Sequence, residues 1–354
     1  MKKIGIMSMQ RIVNYGSFLQ AYGLKKIVNE IGFDNVQYVD YTYEKALNVE
    51  NKERIRRFKD RTIKKRFLGK IFTIKCAMKL KKELKAIGCD KLNYRPEVDT
   101  LIIGSDEVFN CTQGYPVGYS KELFGKNYEN KNVISYAASF GYTKETDLEN
   151  YGIKDEVAAM LSKFSAISVR DNNSYSLIKE LTGREALIHL DPVLIYDFKQ
   201  EMNRKVNCCE DYIIVYAYTN RLSPEEEEYI KKFAIKHKKK IYSIGNYSEI
   251  ADKNIICSPL EVFSYFKGAD YIITDTFHGT IFSIKTNSRF CTIIRESNAN
   301  KLVALLRKLG REDRIVNLLN DIDLLYKKEI DYSITNDIIM KERERTIHYL
   351  RKNI

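Results

Sequence analysis

Short apolar runs that end in polar residues recur along this chain and alternate with segments of helical periodicity. Residues 3–9 predict a strand, residues 18–31 an amphipathic helix that ends at Gly32, and residues 36–41 a second strand. Strands that alternate with helices form right-handed βαβ units on a parallel sheet. The alternation therefore predicts an α/β fold.

The alternation occurs in two halves, which a connector at about 195–210 separates. Further strands are predicted at 100–104, 132–136, 166–170 and 186–190 in the first half, and at 212–217, 240–244, 271–273 and 289–294 in the second. We therefore predict two Rossmann-like domains, residues 1–197 and 211–330, that face one another across a cleft. A C-terminal helix is predicted in 331–354. Such folds bind ligands at the carboxyl ends of the strands.

The composition agrees with an intracellular globular protein. A length of 354 residues suits two domains, and no apolar run of about 18 residues predicts a membrane span. Residues 1–9 contain two lysines but no long apolar region, so they predict a first strand and not a signal peptide. The seven cysteines are scattered without a C-x-x-C pair, which disfavours structural zinc and disulfides. We expect a cytoplasmic protein.

Nearly all of the positive charge lies in one segment. The chain has a net charge of +12, and residues 51–90 hold 15 Lys/Arg against 4 Asp/Glu, a difference of +11. The segment falls in a predicted basic helical insertion at 44–93. Its apolar stripe and lysine-rich faces suit an interfacial helix on an anionic membrane, at the inner face. The alternative is a helical hairpin packed on the N-terminal domain with a solvated basic face. Nucleic acid is not expected as a partner, because the rest of the chain is near neutral and stacking aromatics are few.

The junction between the strand at 271–273 and the helix that follows it combines a titratable group with an anion site. His278 and Gly279 fall where the helix would begin, and backbone N–H groups there favour anions. A positioned acid beside such a site fits a phosphate-bearing substrate. The alternative is a histidine that only caps its own helix.

Other polar residues follow predicted strands, and as a set they suit an anionic ligand. Arg170 offers a planar fork to carboxylate or phosphate, and Gly16 permits close backbone approach. Ser17 fits either a ligand contact or the N-cap of the first helix, and Asp191 before Pro192 predicts a structural turn. The set comprises Asn14, Gly16, Ser17, Ser105, Asp106, Ser139, Arg170, Asp191, Asn220, His278 and Arg295. The absence of P-loop, dinucleotide and H-E-x-x-H motifs disfavours nucleoside triphosphates, dinucleotides and catalytic zinc.

Six motifs in this order resemble the polysaccharide pyruvyl transferase family across about residues 4–310. They are Asn14-Tyr-Gly-Ser-Phe-Leu-Gln-Ala-Tyr22, Ile103-Gly-Ser-Asp-Glu-Val-Phe-Asn110, Ser135-Tyr-Ala-Ala-Ser-Phe-Gly141, Ile167-Ser-Val-Arg-Asp171, Asp191-Pro192 and Thr274-Asp-Thr-Phe-His-Gly279. The resemblance implies a glycosyltransferase-B-like fold. It also implies transfer of pyruvate from phosphoenolpyruvate to sugar hydroxyls, which gives a cyclic ketal, without a metal or a cofactor.

The resemblance also implies roles for residues. His278 would be the general acid, and Arg170, Gly279, Thr276 and Arg295 would bind the donor. Some members carry an arginine where this chain has Thr276, so Arg295 or a lysine would supply that contact. Asn14, Gly16, Ser105, Asp106 and Ser139 would line the cleft or the acceptor site. The acceptor would be a glycan or lipid-linked sugar of a cell-surface or exopolysaccharide precursor. The N-terminal half would hold the acceptor side and the C-terminal half the donor side.

Two other functions stay open at this point. A glycosyltransferase of the same fold that uses a nucleotide sugar would need a ribose-binding carboxylate, for which Asp275 is the best candidate. A sugar- or anion-binding relative without catalysis is the other.

Overall fold

Two parallel β-sheets organise the chain. The computed structural model describes residues 1–44, 46–47, 63–114, 117–208, 211–218 and 220–354. The first sheet has the strand order β2-β1-β3-β4, with β1 (Ile4–Met7), β2 (Val36–Val39), β3 (Thr100–Ile103) and β4 (Asn132–Ser135). A two-stranded sheet of β5 (Ser168–Val169) and β6 (Leu187–Ile188) continues it through isolated bridges at Ala166 and Val169.

The second sheet has six parallel strands in the order β12-β11-β10-β7-β8-β9. They are β7 (Tyr212–Tyr216), β8 (Lys240–Ile244), β9 (Lys253–Ile255), β10 (Tyr271–Thr274), β11 (Phe290–Ile293) and β12 (Ile315–Val316). Central strands such as β10 are buried at every residue. Burial on both faces explains why these strands appear in the sequence as uninterrupted apolar runs.

Helices connect the strands, as the alternation predicts. The α-helices are α1 (Tyr15–Glu30), α2 (Ile63–Ala86), α3 (Glu145–Asn150), α4 (Lys154–Ser162), α5 (Asn172–Thr182), α6 (Pro192–Ile195), α7 (Lys199–Met202), α8 (Pro224–Lys236), α9 (Val262–Gly268), α10 (Phe277–Lys285), α11 (Ala299–Lys308), α12 (Asp321–Lys327) and α13 (Ser333–Asn353). Short 3₁₀ helices span Lys121–Phe124, Pro259–Glu261, Glu296–Asn298 and Glu312–Arg314. No helix within the described ranges is long and apolar enough to cross a membrane.

The start of α1 corrects one expectation. The helix begins at Tyr15 and not at Phe18, and its N-cap is Asn14, whose side chain accepts hydrogen bonds from the N–H groups of Gly16 and Ser17. Asn14 caps more readily because the two N–H groups of the first turn both reach its Oδ1. The N-cap assignment for Ser17 is therefore wrong.

The predicted basic insertion contains one long helix in its described part. Residues 45 and 48–62 of the insertion lie outside the described residues, and α2 occupies most of the remainder. The inner side of α2 packs near the start of α1, since Cys76 Sγ lies 3.8 Å from the hydroxyl of Tyr15. That hydroxyl also donates to the carbonyl of Cys257 in the second half, so α2 sits where the two halves meet.

The C-terminal helix α13 returns to the first sheet. Tyr349 donates a hydrogen bond to the carbonyl of Ser135 at 2.8 Å, and Asn132 donates to the carbonyl of Asn353 at 2.7 Å. The short helix α6 contacts α1, α10 and α13. One hydrophobic cluster contains side chains from both halves, so the halves pack against each other over a shared core.

Candidate active site

The carboxyl ends of both sheets border one cavity of about 620 Å³. Residues from both halves line it: Met9, Ile12, Asn14, Ser17, Asp106, Glu107, Gln113, Val117 and Arg170 from the first, and Tyr218, Phe277, His278 and Lys301 from the second. The cavity thus combines strand-end residues after β1, β3, β5, β7 and β10. Of the predicted site residues, the fold brings together Asn14, Ser17, Asp106, Arg170 and His278 on its wall.

His278 lies in the first turn of α10 and is mostly buried, with 8% of its surface exposed. Its Nε2 is 2.7 Å from the amide nitrogen of Gln20, whose Oε1 accepts from Arg170 at 3.3 Å. Since that oxygen is used by Arg170, we assign the amide nitrogen as donor to Nε2, which puts the proton of the neutral ring on Nδ1. Asp191 Oδ2 lies 3.7 Å from Nε2.

Gly16 has a steric reason to be glycine. A Cβ at this position would lie 2.1 Å from Nδ1 of His278, so the backbone of α1 forms the surface on which the imidazole packs. The predicted close approach at Gly16 therefore occurs, but with His278. The backbone of Gly16 does not adopt a positive φ.

Arg170 is almost fully buried, with 4% of its side chain exposed, and three carboxylates surround it. Its Nη atoms lie 3.4 Å from Asp191, 3.6 Å from Asp106 and 3.8 Å from Glu107. Burial acts to lower the pKa of Arg170, but these carboxylates outweigh it and raise the pKa, so the group stays charged. The guanidinium also stacks on Phe277, at 4.8 Å from the ring centroid.

The guanidinium of Arg170 is not saturated by its protein partners. All three carboxylate distances exceed the usual length of a charge-assisted hydrogen bond, and Nε has no partner although it is buried. Buried polar groups in folded proteins are nearly always satisfied. Arg170 therefore has one N–H left for a further partner, and because Nε is itself buried, the guanidinium would have to turn for an anionic ligand to reach it.

An ion pair between Glu107 and Lys301 joins the two halves at the cavity. Lys301 Nζ of α11 lies 2.7 Å from Glu107 Oε1, and Asn110 donates to the other carboxylate oxygen at 2.8 Å. Burial by itself raises the pKa of Glu107, but Lys301 and Arg170 outweigh it and lower the pKa to about 2. The carboxylate is therefore ionised at any pH at which the protein would work.

Thr276 and Gly279 form the helix cap and do not line the cavity. Thr276 is buried, and its Oγ1 accepts the N–H of Gly279 at 2.9 Å. A Cβ on Gly279 would lie 2.1 Å from Thr274 Oγ1, so glycine is required for close packing. The N–H of Gly279 is thus taken by the cap. The proposed donor contacts through these two residues find no support in this geometry.

Three other predicted site residues are committed to structural contacts. Ser105 donates to the carbonyl of Ala137 at 2.9 Å, and Ser139 donates to Asp171 at 2.6 Å. Arg295 forms a bidentate pair with Glu226 at 2.7 and 2.8 Å. The fold does not bring these side chains to the cavity.

Asp275 has a structural role, whereas Asp191 both forms the predicted turn and contacts site residues. Asp275 is fully buried beside Arg295 and Arg221, and burial raises its pKa despite both cations, so it does not offer a carboxylate to a ribose. Asp191 does form the predicted turn, because its Oδ1 caps α6 at Val193. Its second oxygen faces both Arg170 and His278, so the same residue belongs to the site.

Residues inside helices complete the site, and sequence reasoning missed them. Gln20 lies one helical turn after Gly16, and Lys301 lies early in α11, so neither follows a strand. Glu107 directly follows Asp106, and Phe277 directly precedes His278, so these two stood beside residues already singled out. For Gln20, the sequence did offer one signal: it lies four residues after Gly16, so both residues share one face of the predicted helix.

Two further cavities adjoin the first. One of about 660 Å³ lies between α2 and the ends of β7 and β8, and shares Asn14 and Tyr218 with the first cavity. Another of about 1080 Å³ shares Arg170, Phe277 and Lys301 with it. Among the described residues, no group of three or more His, Cys, Asp or Glu side chains is arranged to hold a metal ion.

The architecture is that of the glycosyltransferase-B class, with two Rossmann-like halves. UDP-GlcNAc 2-epimerase of Methanocaldococcus jannaschii, solved in complex with UDP-GlcNAc and UDP, matches 98% of this chain over 99% of its own, with a TM-score of 0.50 and 10% sequence identity. The corresponding epimerase of Neisseria meningitidis covers 100% of both chains at a TM-score of 0.46 and 10% identity. At such identities the likeness concerns the fold alone.

The family is given by the sequence. The model of the polysaccharide pyruvyl transferase family matches residues 14–297, and the chain belongs to this family of transferases. No curated protein sequence matches it. The resemblance inferred from the six motifs is thus confirmed at the level of family and fold.

Proposed function

We propose that this protein transfers pyruvate from phosphoenolpyruvate to two hydroxyls of a sugar in a cell-surface or exopolysaccharide precursor, forming a ketal. The observation that carries the proposal is the pairing of His278 with the unsaturated guanidinium of Arg170 on one cavity wall. A proton donor and a fixed cation are the two groups that this reaction needs. The family assignment supports the same reaction class.

The cavity suits a small anion more than a large neutral ligand. Arg170 and Lys301 face the carboxylates of Asp106 and Glu107 on this wall, and Arg170 retains an N–H without a protein partner. In our proposal the phosphate or carboxylate of phosphoenolpyruvate takes that N–H and relaxes the long contacts of Arg170 to Asp106 and Glu107. Preorganised cations of this kind stabilise charge that develops in the transition state.

The proposed reaction proceeds by protonation and two additions. The protonated imidazole of His278 donates to the methylene carbon of phosphoenolpyruvate, which leaves an oxocarbenium-like carbon. One sugar hydroxyl attacks that carbon and loses its proton to the imidazole. Phosphate then leaves, and a second hydroxyl of the same sugar closes the ketal. One hydroxyl proton thus ends on the new methyl group and the other on phosphate.

Neighbouring residues position the acid. Gln20 donates to Nε2 of the neutral ring, so in our proposal its amide turns and presents Oε1 to the N–H when the ring is protonated. Asp191 Oδ2 lies 3.7 Å from the same nitrogen. The two adjoining cavities share wall residues with the first, so in our proposal a sugar acceptor binds in one of them beside the donor. The assignment of the acceptor side to the N-terminal half and the donor side to the C-terminal half stays a prediction.

Donor binding and turnover test the proposal separately. Titration calorimetry with phosphoenolpyruvate should show binding to the wild type that is at least about tenfold weaker in Arg170→Ala. Incubation with phosphoenolpyruvate and hexosides that carry neighbouring free hydroxyls should release phosphate and add a pyruvate mass to the sugar. His278→Ala should lower this rate by about 100-fold or more.

His348 provides a matched control, because it is an exposed histidine on α13 far along the chain from the site. His348→Ala should turn over like the wild type. Failure of the wild type to bind phosphoenolpyruvate would contradict the proposal. Donor binding without turnover would favour a binding protein, and cleavage of a nucleotide sugar would favour a glycosyltransferase.

A further inference from the structure

The helix α2 carries two apolar stripes on opposite faces. The inward stripe is buried and packs against the body of the protein; it consists of Phe72, Cys76, Leu80 and Leu84. The outward stripe consists of Phe67, Ile74 and Met78, which are 64%, 51% and 67% exposed. The outward residues are spaced by seven and four positions, so they align along one side of the helix.

Lysines flank the outward stripe on both sides. At 100° per residue, Lys70 and Lys81 fall on one side and Lys75 and Lys82 on the other, each within about 80° of its centre. None of these four lysines forms a salt bridge to the described part of the chain. The helix contains nine Lys/Arg and one acidic residue, Glu83, which pairs with Arg204 at 3.4 Å.

The packing of α2 does not account for its outward stripe. The buried stripe alone is enough to hold the helix on the protein, as for an ordinary surface helix. A merely solvated basic face would carry lysines without three large exposed apolar side chains between them. Exposed apolar groups bordered by unpaired cations match an anionic bilayer, where apolar groups enter the headgroup boundary and lysines reach the phosphates.

We propose that the outward face of α2, defined by Phe67, Ile74, Met78 and the flanking lysines, docks on an anionic lipid surface. On its inner face, α2 contributes Cys76 and Leu80 to the wall of the cavity of about 660 Å³. This cavity reaches Asn14 beside the candidate active site. Docking through α2 therefore brings the helix that borders this cavity to the membrane surface. The next step rests on the proposed pyruvyl transfer. A transferase that is docked on a lipid surface meets acceptors that are anchored there, so the acceptor is a lipid-linked glycan.

Vesicle flotation tests the docking without using enzyme activity. The wild type should float with phosphatidylcholine vesicles that contain phosphatidylglycerol, and not with pure phosphatidylcholine. Phe67→Ser/Ile74→Ser/Met78→Ser and Lys70→Gln/Lys81→Gln/Lys82→Gln should each weaken binding at least about tenfold. A control, Lys163→Gln/Lys205→Gln/Lys231→Gln, removes equal charge from exposed lysines elsewhere and should bind like the wild type.

Several outcomes would overturn the proposal. If the control variant lost as much vesicle binding as the α2 lysine variant, or if the three serine substitutions left binding unchanged, the protein would be binding as a basic protein binds any polyanion. Absence of wild-type flotation would show that the outward face of α2 does not dock on this lipid surface. Thermal melting and phosphoenolpyruvate binding of each variant verify its fold, because the substituted side chains point away from the site. The two readouts are independent. Wild-type protein that binds phosphoenolpyruvate but does not float contradicts docking alone, and wild-type protein that floats but does not bind phosphoenolpyruvate contradicts the proposed reaction alone.

Discussion

At the residue scale, the site requires a position without a side chain, because a Cβ on Gly16 would occupy the space of the His278 ring. Around Gly16, a Cβ would lie 2.1, 2.2 and 2.5 Å from three atoms of the His278 ring. Side chains never approach this closely, and the obstacle is a ring held by Gln20. The imidazole would have to move, and with it the proton donor of the proposed reaction.

Gly16→Ala should therefore reduce kcat/KM by about 100-fold or more, since small displacements of a catalytic group are costly. Alanine ordinarily stabilises a helix by about 1 kcal/mol relative to glycine, so the clash should appear as a Tm that does not rise. Steady-state kinetics and thermal melting measure both effects. Gly23→Ala in the same helix is the control, because a Cβ there approaches Pro192 and Phe198 and not His278. Normal kinetics in Gly16→Ala would show that the ring relocates freely.

At the element scale, a chain of hydroxyls fastens the start of α10 to the second sheet. Thr276 Oγ1 receives the N–H of Gly279 and lies 3.2 Å from Thr274 Oγ1, which donates to the carbonyl of Tyr216 at 2.7 Å. These hydroxyls are buried and fully used within the protein. The hydroxyls of this junction thus serve the helix start, whereas Phe277 and His278 line the cavity.

Substitutions of Thr276 distinguish a cap from a donor contact. Thr276→Val should lower the free energy of unfolding by about 1–2 kcal/mol, because the N–H of Gly279 loses its acceptor, and Thr276→Ser should restore most of it. The KM for phosphoenolpyruvate should stay unchanged in both variants. Denaturant unfolding and initial-rate kinetics provide the measurements. A raised KM in a variant of normal stability would show that Thr276 contacts the donor after all.

Elements were predictable where burial imposes a pattern. The central strands are buried at every position and stood out as apolar runs, whereas the edge strands β9 and β12 are short and partly exposed and gave no such signal. The brief helix α7 fell in the predicted connector, and the sequence predicted only a turn at α6 directly before it, because both helices are only four residues long. At the site, position after a strand found Arg170, Asp106 and His278. The same criterion also selected Ser105 and Ser139, whose hydroxyls bind a backbone carbonyl and a loop carboxylate. A hydroxyl after a strand can make such structural contacts as readily as it can contact a ligand.

At the scale of the whole molecule, several contacts among the described residues hold the halves together. They share a hydrophobic cluster, α13 crosses back to the first sheet, and Glu107 pairs with Lys301 beside the cavity. The ion pair is the one of these that responds to pH. Its carboxylate has a pKa of about 2 against an ordinary 4.5, so folding and ionisation of Glu107 are linked.

The sign of this linkage follows from the lowered pKa. The stabilisation is fully present above about pH 4.5, where Glu107 is ionised in both states, and is lost as the pH falls from there toward 2. Glu107→Gln should accordingly lower the free energy of unfolding by roughly 1–3 kcal/mol at pH 7. The gap between the two proteins should shrink progressively below about pH 4.5. Urea unfolding of both proteins between neutral pH and pH 3 measures it.

Glu97→Gln is the matched control, because Glu97 pairs with Lys131 at 2.6 Å but is 76% exposed. Exposed pairs contribute little, so this variant should follow the wild type at every pH. A destabilisation by Glu107→Gln that stays constant down to pH 3 would mean that shape and not charge matters at this position. A gap that closes with acid in Glu107→Gln alone would instead assign the pH dependence to the bridge between the halves, which borders the cavity that binds the donor in our proposal.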